Sequence, residues 1–172
     1  MDNSFYINPK LYTRDKNEQV GRGVYTREKI FKGELISRSI GQILSNEACE
    51  ALPRDYQKYC YDISDESVFC PLDFKNPTID WYVNHSCDPN CGCSASDNYS
   101  VFAMRDIEAG EEIVIDYCMV DAFMGYAFKC LCGSKNCRGI INGDDYRLSN
   151  LQKKFKGYFQ KNVQNKIDLN KK

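Results

Sequence analysis

The sequence predicts a mainly β domain with short helices, closed by a metal-binding cysteine segment and a C-terminal helix. Three observations carry this expectation. Short β-prone runs separated by glycine and proline turns fill residues 21–117, helical periodicity is confined to the stretch after residue 149, and the ten cysteines include three within eight residues. A chain of 172 residues suffices for one core and is too short for two comfortable ones.

Residues 1–20 are mixed and polar. Pro9 excludes a helix there, and Phe5-Tyr6-Ile7 predicts a short strand within an N-terminal arm. Gly23-Val24-Tyr25-Thr26 and Leu35-Ile36-Ser37 read as two strands joined by a turn through Gly33. Ser45 is placed to cap a short helix running to Ala51, which Pro53 interrupts. Strands are expected again over 59–72 and 98–104. After Gly110, the run Glu111-Glu112-Ile113-Val114-Ile115-Asp116 alternates like a strand with one buried face, and Tyr117 stands at its end. From residue 149 the period becomes helical: Leu151, Phe155, Tyr158 and Phe159 share a face, and Ser149 with Gln152 fits a capping box.

With 12 Tyr and 9 Phe, the aromatic content argues against disorder. The net charge of -1 conceals an asymmetry. Residues 144–172 hold eight Lys/Arg against three Asp, which leaves the first 143 residues at -6. An acidic body suits a basic peptide, and the basic tail suits either a solvated helix or nucleic-acid contact through Lys153, Lys154, Lys156 and Lys161. No run of about 18 apolar residues occurs, and Met1-Asp2-Asn3-Ser4 begins no export segment. The sequence therefore reads as soluble and intracellular, with no membrane partner; nucleus or cytoplasm, and oligomeric state, stay open.

Cys130-Leu131-Cys132-Gly133-Ser134-Lys135-Asn136-Cys137 is the sharpest local feature. In a reducing compartment so many cysteines point to metal ligands rather than disulfides. Three thiolates at this spacing can face one centre, and a closed all-sulfur zinc site is structural. The fourth ligand must come from elsewhere, with Cys87, Cys91 and Cys93 as candidates.

Asn84-His85-Ser86-Cys87-Asp88-Pro89-Asn90-Cys91 is rich in turn formers. Taken with Gly21-Arg22-Gly23 before it, and with Gly110 to Tyr117 and the cysteine array after it, this block resembles the SET domain of protein lysine methyltransferases. All four blocks occur in order over roughly residues 20–140. The resemblance implies a SET-type (β-clip) fold of small twisted sheets with a knot-like cofactor site. It divides the chain into an N-terminal arm (1–20), a SET domain (21–118), a post-SET zinc segment (119–142) and a basic amphipathic helix and tail (143–172).

The resemblance further implies S-adenosylmethionine as methyl donor, held by Gly21, Arg22, Gly23, Trp81, Tyr82, Asn84 and His85. Tyr117 matches the catalytic tyrosine, and Cys87 the fourth zinc ligand beside Cys130, Cys132 and Cys137. Tyr59 and Tyr61 resemble the block that supplies a second channel tyrosine, with Tyr59 preferred by register. The implied substrate is a lysine in a histone tail or other basic protein. Two positions depart from the pattern. Trp81 stands where relatives often carry arginine, so an indole would stack on or cover the cofactor. Ile115 stands where relatives usually carry Phe or Tyr, which by analogy leans toward di- or trimethylation. A silent SET-like binding module and a zinc-stapled nucleic-acid binder are the competing readings. A cysteine hydrolase would need His85 oriented as a base on Cys87.

Overall fold

The computed structural model describes residues 4–17, 19–122 and 127–170. The expectation for Met1-Asp2-Asn3 and for the last two lysines of the tail falls outside them. Among the described residues, thirteen strands and four α-helices run in the order β1 (Tyr6–Ile7), β2 (Leu11–Asn17), β3 (Gly21–Thr26), β4 (Leu35–Arg38), β5 (Gln42–Ser45), α1 (Asn46–Glu50), α2 (Arg54–Gln57), β6 (Tyr61–Asp62), β7 (Ser67–Cys70), β8 (Asn84–His85), β9 (Cys91–Cys93), β10 (Ser100–Ala103), β11 (Glu112–Ile115), β12 (Ala127–Lys129), β13 (Ile140–Asn142), α3 (Ser149–Lys154) and α4 (Lys161–Leu169).

The main sheet has the order β1-β4-β10-β9-β11-β3-β2, with β8 also pairing to β11. A three-stranded sheet, β5-β7-β6, and the hairpin β12-β13 complete a mainly β fold of small sheets. The strand β11 is central because its alternation works on both sides. Ile113 and Ile115 are buried, whereas Glu112 and Val114 are half-buried. β3 and β4 are both strands, as expected, but they pair with β11 and β10 rather than with each other. Their connection instead bridges to the β10–β11 connection through Ile30 and Ile107, both fully buried.

One core gathers Val24, Ile30, Ile36, Cys91, Ala103, Ile107 and Ile113; a second gathers Ile115, Met119, Leu151, Phe155, Phe159, Val163 and Ile167. The C-terminal segment thus packs back on the domain. Phe155 and Phe159 are 0 % and 1 % exposed, each stabilising by about 1.5–3 kcal/mol.

Several expectations need correction. The seven-residue strand β2 forms a ladder with β3 where the sequence read only a polar arm. Its charged residues lie on the sheet's outer edge, where no alternation is demanded. The expected strand over 59–72 is a hairpin, broken by a turn in which Ser64 and Ser67 hydroxyls meet at 2.6 Å. Tyr59 lies before this hairpin, in the turn after α2. The C-terminal helix is two helices: α3 ends at Lys154, the turn after it passes through Gly157 at φ 86°, and α4 begins at Lys161. Nor does Ser149 cap it: Leu148 occupies the N-cap, and Gln152 donates to the Tyr146 carbonyl at 3.0 Å. Ser45 does cap α1, accepting from the Ala48 amide at 3.2 Å.

Candidate active site and cysteine cluster

The segment 84–91 is threaded against β11 twice. Asn84 and His85 pair parallel with Val114 and Ile115, and Cys91 then pairs parallel with Ile115. Between them the chain must turn without regular pairing, and Asn90 makes this affordable. Its buried side chain accepts from the Val114 amide at 2.9 Å and donates to the Glu112 carbonyl at 2.7 Å, standing in for a strand backbone. Sequence reading gave Asn90 no role, since its partners lie 22 and 24 residues away. Asn90→Ala should leave two buried backbone groups unpaired and cost about 2–3 kcal/mol, as read from the midpoint of urea unfolding.

Tyr117 follows β11 and opens a short 3-10 turn, Tyr117–Met119, capped by the Asp116 carboxylate accepting from the Cys118 amide at 3.2 Å. The Tyr117 hydroxyl donates to the Val83 carbonyl at 3.3 Å. Burial pushes its phenol up to about 12, so the hydroxyl stays protonated at neutral pH. Three cavities meet at this residue. One of about 1260 Å³ is lined by Gly21, Arg22, Trp81, Tyr82 and Asn84 as well as Tyr59 and Tyr117. A second, of about 140 Å³, lies between Tyr59, Tyr61, Ile115 and Tyr117. A third, of about 420 Å³, is bordered by Glu50, Asp62, Asp121 and Tyr117.

Among the residues proposed for cofactor contact, five line the wide cavity, while Gly23 and His85 do not. A side chain at Gly23 would press on the Glu112 carboxylate, 2.6 Å from the site of its Cβ, and on the Asn84 amide. The space beside Gly23 is taken up by the Asn84 amide, which reaches the Arg22 carbonyl at 3.0 Å and Glu112 at 2.9 Å. Gly21, with φ 75°, is the left-handed residue of the pair. Arg22 pairs with Asp15 at 3.0 Å and lies over the Tyr82 ring. Trp81 packs on Tyr61 and Phe69, with ring centroids 5.8 and 5.5 Å away. Tyr59 meets Tyr82 edge-on, whereas the Tyr61 hydroxyl is tied to the Asn98 carbonyl at 3.1 Å.

His85 sits behind Tyr117, edge-on to it and to Phe128. Its Nδ1 accepts from the Tyr117 amide at 3.2 Å. Burial drives the imidazole down to about 4, against the pull of Asp116, so it is neutral at pH 7. With Nδ1 accepting, the proton belongs on Nε2, which faces the Cys87 sulfur at 3.4 Å. That tautomer donates to sulfur and has no lone pair there to take a thiol proton. A cysteine-hydrolase reading fails on this geometry.

Cys87, Cys130, Cys132 and Cys137 bring their sulfurs within 4.8 Å of one another. Cys91 and Cys93 are instead buried in the two apolar cores, where desolvation raises their thiols. Amide groups point at the cluster: Cys132 to Cys130, Gly139 to Cys137 and Arg138 to Cys87, each at 3.4 Å. Arg138 does more. Its guanidinium grips Asp116 at 2.6 and 2.9 Å and reaches Asp145 at 2.9 Å, with Asp116 wholly buried. Burial alone would lower its pKa, but the two carboxylates hold it above the usual value. The sequence reading missed this ion cluster, which joins the cysteine segment, the residue before Tyr117 and the C-terminal region.

A strand-threaded loop under a half-buried tyrosine, with four thiols gathered behind it, defines a SET-type protein. The family model described as SET domain matches residues 21–118, and the chain belongs to that family. It is similar to Histone-lysine N-methyltransferase ASHR3 of Arabidopsis thaliana, 34% identical over 139 residues, which cover 73% of this chain and 27% of that protein. Histone-lysine N-methyltransferase ASHH2 of the same plant is 28% identical over 142 residues, 77% of this chain and 8% of its own length. A Histone-lysine N-methyltransferase, H3 lysine-4 specific, of Aspergillus oryzae is 30% identical over 132 residues, 70% of this chain and 11% of its own length. The chain thus spans less than a third of each of these curated relatives. Among the described residues no helix is long and apolar enough to cross a membrane.

Proposed function

We propose that the chain transfers a methyl group from S-adenosylmethionine to the side-chain amine of a lysine in a histone tail or other basic protein. The observation that carries this reading is Tyr117, the half-buried residue common to a wide cavity, a narrow aromatic one and an acidic-rimmed one. The wide cavity suits a nucleoside: Trp81 and Tyr82 offer flat apolar walls, and the backbone at Gly21 and Arg22 offers polar groups. Glu50, Asp62 and Asp121 at the third cavity suit a basic peptide. The division into arm, SET domain, post-SET segment and C-terminal region belongs to the same proposal.

When bound, S-adenosylmethionine supplies an electrophilic methyl group on a sulfonium. The chain's own residues do the rest. A lysine amine, with a pKa of about 10.4 in water, must lose its proton before it can act as a nucleophile. Val83, Val101, Ile115 and tyrosine rings on the lining of the narrow cavity disfavour the charged form by desolvation, while Asp80 and Asp121 on the same lining favour it. Because Tyr117 donates its hydrogen to Val83, its oxygen presents lone pairs that accept an amine N–H and orient the nitrogen. No side-chain base is required.

The four cysteines fit zinc by their donor set. Four thiolates at Zn–S distances of about 2.3 Å stand roughly 3.8 Å apart on a tetrahedron's edges, and Cys87 and Cys130 sulfurs are 3.9 Å apart. The ion would be structural, with no open position for water.

Label transfer from S-adenosylmethionine to whole histones tests the reading. Tyr117→Phe should lower kcat by about a hundredfold or more while cofactor affinity changes little. Full activity in Tyr117→Phe would remove the tyrosine from the mechanism. Cofactor binding without transfer to histones, or to any protein of a whole proteome, would favour a silent module.

A further inference from the structure

Three further cysteines gather around the small sheet, beside the acidic-rimmed cavity. Cys60 directly precedes β6, Cys70 ends β7 and Cys49 lies on α1, all as free thiols. Strand register sets Cys60 against Cys70. Tyr61 pairs with Phe69 and Asp62 with Val68, so the next position outward brings Cys60 opposite Cys70 on the same face. The Ile63 amide donates to the Ser67 carbonyl at 3.1 Å, which marks 63 and 67 as a hydrogen-bonded pair. Alternation along an antiparallel ladder then makes Cys60 and Cys70 a non-hydrogen-bonded pair, the closer kind, with Cα atoms about 4.5 Å apart. A disulfide spans Cα separations of about 4.4–6.8 Å. The Cys60 amide accordingly turns back to the Gln57 carbonyl at 2.9 Å instead of crossing to Cys70. β6 is also held from the C-terminal side, because the Gln160 side chain donates to the Asp62 carbonyl at 2.9 Å. The stretch carrying Gln160 is pinned in turn. The Cys93 amide donates to the Tyr158 carbonyl at 2.8 Å, the Gln160 amide to the Met119 carbonyl at 2.9 Å, and the Lys161 amide to the Asp97 carbonyl at 3.0 Å.

The two sulfurs differ in access. Cys60 is half-buried and lines both the acidic-rimmed and the narrow cavity, whereas Cys70 is 0 % exposed. They also share a proton. Hydrogen bonding with Cys70, then burial, holds the Cys60 thiol well above its usual range, and the same bond lowers Cys70. The pair therefore carries one negative charge at a lower pH than a lone thiol would. Passage of the shared proton to Cys70 presents that charge at Cys60, on the cavity wall.

We propose that Cys60 and Cys70 form a site of reversible oxidation, closed to a disulfide by a hydroperoxide, and that the disulfide suppresses methyl transfer. The site stands on the strand register; its effect rests on the methyltransferase reading above. With hydrogen peroxide, the Cys60 thiolate attacks one oxygen. An S–O bond forms, the O–O bond breaks, and the departing hydroxide takes up a proton to replace the one the pair released. The Cys70 sulfur then displaces the hydroxyl of the Cys60 sulfenic acid. An S–S bond forms, the S–O bond breaks, and the hydroxyl leaves as water with the Cys70 proton. Two thiols lose two electrons, and the peroxide becomes two waters. Cys60 stands between Tyr59, which lines the wide and narrow cavities, and Tyr61, whose hydroxyl is tied to Asn98. Drawing the Cys60 sulfur onto Cys70 takes it off both cavity walls and shifts Tyr59, carried by the same turn.

The test treats the full chain with limiting hydrogen peroxide, then maps its peptides by mass spectrometry without reductant. A Cys60–Cys70 bond should be found, and label transfer from S-adenosylmethionine to histones should fall about tenfold or more, returning with dithiothreitol. Metal content, measured alongside, should not change, which separates this event from oxidation of the four clustered thiols. Cys70→Ala should keep its basal transfer and lose both the bond and the restorable inhibition. No bond at Cys60 overturns the proposal, as does a bond from Cys60 to Cys49 in its place. Inhibition that persists in Cys70→Ala, or that tracks metal loss, overturns it equally. Should Cys70→Ala fail to fold, the unsubstituted protein decides: the mapped bond with restorable inhibition supports the proposal, and the bond with unchanged transfer overturns it. Absence of transfer before oxidation overturns the activity reading and the suppression with it, and is told apart because the mapped bond still forms.

Discussion

Stripping metal from the folded protein is expected to release the segment around β12 and β13 and to abolish methyl transfer. The hairpin is three residues on each side, and of its six residues only Ile141 is fully buried, so it has too little apolar surface to hold itself. Binding energy of a structural zinc, about 10–16 kcal/mol in small metal-folded domains, is folding energy there. Cys87 carries the effect inward, because it sits two residues beyond His85, whose Nδ1 receives the Tyr117 amide. Chelation should expose four of the ten cysteines to a thiol reagent and lower the melting temperature. Cys87→Ser should lose the metal while Cys91→Ser, altering a core residue, keeps it. An as-purified protein without bound zinc, with a melt indifferent to chelator, would sink the zinc proposal.

Removing Arg138 is expected to be nearly as damaging without touching a thiol. Asp116 is 0 % exposed and Asp145 5 %, and the guanidinium is a shared counter-ion for both. Losing one partner of a buried pair costs about 3–5 kcal/mol, since charge is left in a place water cannot reach. Arg138→Ala should show this in urea unfolding. Arg138→Lys should recover only a minor part, because an ammonium cannot reproduce two parallel hydrogen bonds to Asp116 and a third to Asp145. A loss below about 1 kcal/mol in Arg138→Ala would mean that the carboxylates find other partners. Since Asp116 directly precedes Tyr117, the variant should also reduce kcat more than cofactor affinity.

What the sequence disclosed follows from how local each signal is. The cysteine array declared itself because its ligands lie within eight residues, and Ser45 because a cap acts across three. β11 was legible from its own alternation. β2 was not, because an edge strand with charged outer residues has no period to read. The helix after Ser149 kept its apolar period through Gly157, whereas the backbone leaves the helix at Phe155 and turns through Gly157. Choosing Cys87 over Cys91 and Cys93 needed the resemblance, and the structure places the latter two in the cores. Asn90, Arg138 and Gln160 carried no local signal, since each is defined by distant partners, up to 98 residues away for Gln160 and Asp62.

The pinned stretch from Tyr158 to Lys161 has a practical consequence for where the working unit ends. The family match stops at residue 118 and the cysteine hairpin at 142, yet the far wall of the narrow cavity is laid down by residue 160. A fragment ending at residue 118 would lack Gln160 from the wall of the narrow cavity and would leave Ile115 and Cys93 without the Phe155 and Phe159 of their core cluster. For this chain, the family match and the walls of the narrow cavity do not end at the same place.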